Sequence, residues 1–118
     1  MTRDPALNLG LALDHLALLE GYRVDPTLVN TAAAFDAVCM RLQASIEAAS
    51  RVPREWLEEE FGDRWPHIRG LRNVIAHTYE GVDDAVVRDV VERQLPLFAA
   101  GLHRLIDRHA PGLEPELP

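Results

Sequence analysis

Arginine, asparagine, histidine and tyrosine crowd together in Arg72-Asn73-Val74-Ile75-Ala76-His77-Thr78-Tyr79, inside an otherwise apolar stretch that starts at Ile68. The chemistry on offer is an imidazole that can take or give a proton near neutral pH, beside a permanent, planar, forked cation. At about 100° per residue of α-helix, Ile68, Leu71 and Ile75 share one side and mark the buried face. Arg72 and Tyr79 share a line at the margin of that face. Asn73 and His77 share another, with His77 roughly opposite the apolar centre.

Arg72 and His77 therefore stand about 140° apart around an ideal helix. Two side chains so placed do not readily meet on one small group. They could converge if the helix loosens near His77, if Arg72 reaches around, or if a second subunit supplies half of a site. The alternative is a polar helix margin, with Arg72 pairing an acid such as Glu47 and His77 exposed. Spacing leaves both readings open.

Other candidates offer less. His15 and His109 stand alone. His103 and Asp107, four apart, give two ligands on one turn where a metal needs a third. Nothing in the spacing around Ser45 or Ser50 supplies the base and orienting group of a serine nucleophile. No glycine-rich phosphate loop follows a strand.

Helices must position these residues. Asp4-Pro5 is a helix start, an acidic cap before proline at the first helical position. Leu9, Ala12/Leu13, Leu16 and Leu19 carry the first helix, and Gly21 is expected to end it. Asp25-Pro26 repeats the start signal. The second helix has a seam of Leu28, Ala32, Phe35, Cys39, Leu42, Ile46 and Ala49, spaced by alternating fours and threes; Cys39 inside it reads as a buried structural thiol. That helix should stop near Arg51, ahead of Pro53. Pro53 to Phe61 reads as a short helix stopped by Gly62, its acids Glu55, Glu58, Glu59 and Glu60 forming a solvated face. Trp65-Pro66 opens the helix that carries the motif, to about Thr78. Gly81 breaks the chain, Asp83 caps the last helix, and that helix runs to about Arg108. Its stripe is Val87, Val90/Val91, Leu95, Phe98, Leu102 and Leu105/Ile106, and Pro96 within it should bend it at the cost of one backbone hydrogen bond. Residues 1–109 form one helical domain, and 110–118 a flexible proline-rich tail. The expected architecture is all-α, an antiparallel up-and-down bundle of four to five helices.

Composition sets limits on partners. The 118 residues carry 19 acids against 12 basic side chains, a formal charge of −7, and every basic residue is arginine. A chain this acidic does not coat nucleic acid non-specifically, since that affinity comes from neutralising phosphates. A local strip of Arg64, Arg69 and Arg72, against the single Asp63, could still touch a phosphate or two. One cysteine excludes an internal disulfide, and no apolar run approaches the length of a membrane span. No signal peptide is read at the amino end. The expected location is cytoplasmic.

Arg-x4-His-x-Tyr over Arg72 to Tyr79, set within Gly70-Leu71-Arg72-Asn73 and followed by Gly81-Val82-Asp83, resembles the HepT-like family of HEPN domains. Members are partners of minimal nucleotidyltransferases in bacterial and archaeal toxin–antitoxin pairs. Glu47-Ala48-Ala49 is similar to the end of the family's second helix, and Leu95-Pro96 to the proline of its last. The likeness covers about residues 4 to 106. This chain departs in lacking the glycine of Ile-Gly-Glu, at Ser45-Ile46-Glu47, and in placing Trp65 before Pro66.

The resemblance implies a homodimer whose two motif helices line a shared cleft, and a metal-independent, cofactor-free endoribonuclease toxin. His77 would be general base or acid on the ribose 2′-hydroxyl or the leaving oxygen, and Arg72 would hold the scissile phosphate. Asn73 would orient His77 or bind phosphate, with Arg69 in support. Products would end in a 2′,3′-cyclic phosphate and a 5′-hydroxyl. Tyr79 resembles the tyrosine that the partner nucleotidyltransferase modifies with AMP, silencing the toxin. A different class of function is a non-catalytic accessory subunit that binds the nucleotidyltransferase and helps present its substrate.

Overall fold

In a computed structural model, which describes residues 4–25, 31–78 and 84–112, every regular element is helical. Helix α1 spans Pro5–Val24, α2 Ala32–Ala49, α3 Arg54–Phe61 and α4 Arg64–Thr78. The last helix, α5, is built from Asp84–Asp89, a wider π turn over Val90–Gln94, and Leu95–His109. The all-α bundle expected from the stripes is what the chain forms.

Local chemistry accounts for most of the boundaries. The Asp4 carboxylate accepts from the Ala6 N–H at 2.8 Å and caps α1, with Pro5 in its first turn. Gly62 adopts φ 54°, a conformation that favours glycine, and closes α3. Trp65 and Pro66 lie in the opening turn of α4.

Helix α1 does not end at Gly21 but runs on to Val24. A glycine within a helix costs only about 1 kcal/mol, and the turn beyond it is held by Tyr22 packing on the core and by Arg23 paired with Glu20. Asp25 ends α1 rather than opening α2. The cap of α2 is Thr31, whose hydroxyl accepts from the Ala34 N–H at 3.0 Å. Leu28 lies outside the described residues, as do Gly81, Asp83 and the tail from 113.

Helices α1 and α2 run antiparallel. The Ser45 hydroxyl donates to the Ala12 carbonyl at 2.8 Å, and Arg41 meets His15 at 3.2 Å, so residue numbers rise along one helix as they fall along the other. Leu9, Leu19, Cys39, Leu42 and Ile46 are sealed between them. Ile46, at the position where the family pattern has a glycine, is fully buried. From α5, Val87, Val90, Leu95, Phe98, Leu102, Leu105 and Ile106 complete the core, the stripe read from the sequence. Each such side chain contributes about 1.5–3 kcal/mol through burial.

Pro96 is accommodated differently from a simple bend. The π turn ends just before it, with the Leu95 N–H donating to the Val90 carbonyl five residues back, and Pro96 falls in the first turn of the segment that follows. A missing N–H is tolerated there. The acids of α3 are not all solvated either. Glu60 keeps only 7% of its side chain exposed and pairs with Arg104 and Arg108, while Glu59 also pairs with Arg108. These contacts, with Trp56 stacked on His109 at 3.9 Å, fasten α3 along the end of α5.

Candidate functional site

Helix α4 carries the motif, and its faces fall as the spacing requires. Ile68 and Ile75 are buried, at 8% and 1% exposure, and Leu71 and Val74 lie half-buried against the core. Arg69, Arg72 and Asn73 are exposed. The helix keeps α geometry through Thr78, so the backbone does not loosen ahead of His77. The His77 side chain and all of Tyr79 lie outside the described residues.

Arg72 reaches sideways to α2. Its Nη1 donates to Glu47 Oε2 at 3.0 Å, with the two side chains 47% and 42% exposed. Arg51, four residues after Glu47 and in the turn that follows α2, holds an Nη2 at 3.9 Å from the other carboxylate oxygen. The sequence suggested Glu47 as a partner for Arg72. Arg51 went unread as a third member, though its i, i+4 spacing from Glu47 is a familiar helical pairing. The result is an Arg72–Glu47–Arg51 chain of alternating charge across the α4–α2 boundary. An arginine has five donors, and the contact to Glu47 engages one of Arg72's, so among the described residues part of its fork can still face an anion.

Arg69 borders a hollow formed with Ser50, Arg54, Asp63 and Trp65, on the α3 side of the helix. Arg64 lies above the Phe61 ring at 6.0 Å. The strip read from the sequence is thus spread over α4, with Arg64 and Arg69 near its beginning. An open groove between α4 and α5 is lined by His67, Leu71, Val74, Gln94 and Leu97, among others. Another hollow, bordered by Tyr22, Arg23, Phe35, Arg88 and Glu92, touches none of the expected site residues.

The other histidines have structural surroundings. Arginine can only donate, so the 3.2 Å contact from Arg41 makes His15 Nδ1 the acceptor and leaves the ring proton on Nε2. Burial, and then the Arg41 charge, hold the His15 pKa below its ordinary 6.5. His109 stacks on Trp56 and so does not stand alone. Among the described residues no third ligand joins His103 and Asp107, and no group of three or more His, Cys, Asp or Glu side chains gathers as a metal site. Ser45 and Ser50 both spend their hydroxyls on backbone carbonyls. Among the described residues no helix is long and apolar enough to cross a membrane.

Comparison with known proteins agrees with the motif. The family model described as Ribonuclease HepT-like matches residues 12–105, a span that runs from the middle of α1 to the last turns of α5 and includes Arg72 and His77. The chain belongs to the HepT-like ribonuclease family. It is also similar to a protein of Methanocaldococcus jannaschii named "Gamma-glutamylcyclotransferase and putative RNase", with 27% identity over 110 residues. That match covers 91% of this chain and 50% of the relative, so the chain spans about half the length of the curated relative it matches. No solved structure matches it.

Proposed function

We propose that this HepT-like chain is a metal-independent endoribonuclease toxin that cleaves RNA with Arg72 and His77 and is silenced by a partner nucleotidyltransferase. The observation that carries the reading is the match to the ribonuclease family across the whole motif region. An exposed arginine on the motif helix, paired at the surface with Glu47, is consistent with it.

In this reading His77 removes the proton from a ribose 2′-hydroxyl, or delivers one to the departing 5′-oxygen. The 2′-oxygen attacks phosphorus, leaving a 2′,3′-cyclic phosphate and a 5′-hydroxyl. An unperturbed imidazole suits either role near neutrality. Arg72 holds the phosphate and offsets the charge of the transition state, as a planar fork does well. Asn73 orients His77 or binds phosphate, and Arg69 supports the backbone of the RNA.

A regular α4 leaves Arg72 and His77 far apart around one helix, which favours a site shared between two copies. The half-buried Leu71 and Val74 and the 55% exposed Leu97, side by side in the α4–α5 groove, supply apolar surface for such pairing. AMP transferred to Tyr79, seven residues after Arg72 in the sequence, would bring a phosphodiester to the motif and compete with RNA for the arginine.

The second reading, a non-catalytic accessory subunit of a nucleotidyltransferase, draws on the Arg72–Glu47 pair itself, because an arginine with a structural job would be paired in this way. Induction of the chain alone, beside Arg72→Ala and His77→Ala, separates the two. Growth arrest and RNA fragmentation by the wild type, with both variants silent, is the expected result. Three indistinguishable cultures with intact RNA would give the accessory reading the lead. Co-expression with the cognate nucleotidyltransferase should add AMP to Tyr79, and a mass spectrum without the adduct would count against that step.

A further inference from the structure

The cation that would grip the RNA phosphate is not free: a carboxylate from a neighbouring helix sits on it at 3.0 Å. That same carboxylate has a second arginine at 3.9 Å, from the turn that follows its own helix. From this arrangement we infer that Glu47 is a built-in competitor for the phosphate site at Arg72, released toward Arg51 when RNA binds. The inference rests on the ribonuclease reading above and concerns the regulation of its phosphate site.

The physical case has three parts. A phosphate oxygen and the Glu47 carboxylate are both anions seeking the same fork, and they repel one another when both lie near it. The Arg72–Glu47 pair is nearly half exposed on each side, so it is a weak contact that a phosphate can displace. Arg51, four residues on in the turn after α2, already stands at 3.9 Å from Glu47, so the displaced carboxylate keeps a counter-charge close by. In a chain of net charge −7, such a contact raises the threshold for binding RNA at all. Glu47 acts through Arg72 and touches no substrate.

The test is binding of a short fluorescein-labelled RNA whose riboses are 2′-O-methylated, so that it cannot be cut, followed by fluorescence anisotropy on the full chain. Wild type, Glu47→Gln, Arg72→Ala and the double variant are compared at low salt and at 1 M salt. Glu47→Gln keeps the shape and one acceptor oxygen while removing the charge. It should bind about fivefold more tightly than wild type, equivalent to about 1 kcal/mol at 1.4 kcal/mol per decade. The gain should vanish in the Arg72→Ala background, the signature of two residues acting on one another. It should also vanish at 1 M salt, where charges are screened beyond about 3 Å.

A gain of equal size without Arg72 would overturn the inference, since the effect would then be general charge repulsion. Unchanged or weaker binding by Glu47→Gln would overturn it too, and would make Glu47 a support that holds Arg72 in place. Failure of the wild type to bind RNA, with no effect of Arg72→Ala, would overturn the ribonuclease reading itself.

Discussion

Gly101 is a position where one added carbon should do clear damage. It lies on α5 against α3, and a Cβ there would stand 2.3 and 2.6 Å from Cε1 and Cζ of Phe61, and 3.3 Å from Cγ of Glu60. Ordinary carbon contacts are about 3.5–4.0 Å, so the ring must retreat by more than about 1 Å. It has little room to do so. Phe61 is 3% exposed, with Trp65 and Phe98 rings centred 5.9 and 5.7 Å away. Overpacking of this kind costs about 1–3 kcal/mol, while alanine for glycine in a helix returns about 1 kcal/mol. Set against each other, these leave a net loss of up to about 2 kcal/mol for Gly101→Ala, at about 4 °C of Tm for each kcal/mol in a chain of this size. Gly21→Ala is the control. Gly21 also lies inside a helix, but among the described residues nothing stands within 4 Å of its would-be Cβ, so only the helix gain applies and Tm should rise. Thermal melts followed by far-UV circular dichroism decide it. If the two variants shift Tm in the same direction, the packing argument for the α3–α5 contact is wrong.

Arg72→Ala should leave stability almost untouched, because its half-exposed ion pair with Glu47 is worth at most about 1 kcal/mol. A Tm loss well beyond about 4 °C would mark Arg72 as structural. Asn8 is fully buried with both side-chain amide atoms unpartnered among the described residues, a burden of about 1–3 kcal/mol. Asn8→Leu is expected to raise Tm by about 4 °C or more, and a fall would mean that the amide has a partner outside those residues. His15 gives a pH signature. Its folded pKa is depressed, so below the ordinary 6.5 the unfolded chain binds a proton that the folded chain resists. Stability contributed by the neutral ring is present above 6.5 and is lost as pH falls through the folded value. His15→Gln should therefore flatten the decline of Tm just below pH 6.5, and an unchanged profile would refute the assignment.

The stripes that predict the bundle are properties of single helices, which is why they were legible. Ile68 with Ile75, and the run from Val87 to Ile106, needed only a period of 3.6 residues to assign their faces. Boundaries were less so, because they turn on contacts. Gly21 reads as a stop, yet Tyr22 and the Glu20–Arg23 pair carry α1 past it. Thr31 was hidden behind the stronger-looking Asp25-Pro26, and Asp25 turns out to end the previous helix. Pro96 announced trouble in the last helix but not its remedy, since a π turn depends on how the flanking segments pack. Glu60 looked like its three acidic neighbours, and only the approach of α5 buries it. At the site, the sequence supplied Arg72, the motif around it and Glu47 as a partner on α2. The joint engagement of Glu47 by Arg72 and Arg51 needed the α2–α4 crossing to become visible.

Cleavage of RNA by the purified chain in EDTA, with the new ends identified, tests the central claim most directly. The account predicts fragments ending in 2′,3′-cyclic phosphate and 5′-hydroxyl from the wild type. Arg72→Ala and His77→Ala, each melting near the wild-type temperature, should be at least about 100-fold slower. Intact RNA with the wild type, or equal cleavage by all three proteins, would contradict it.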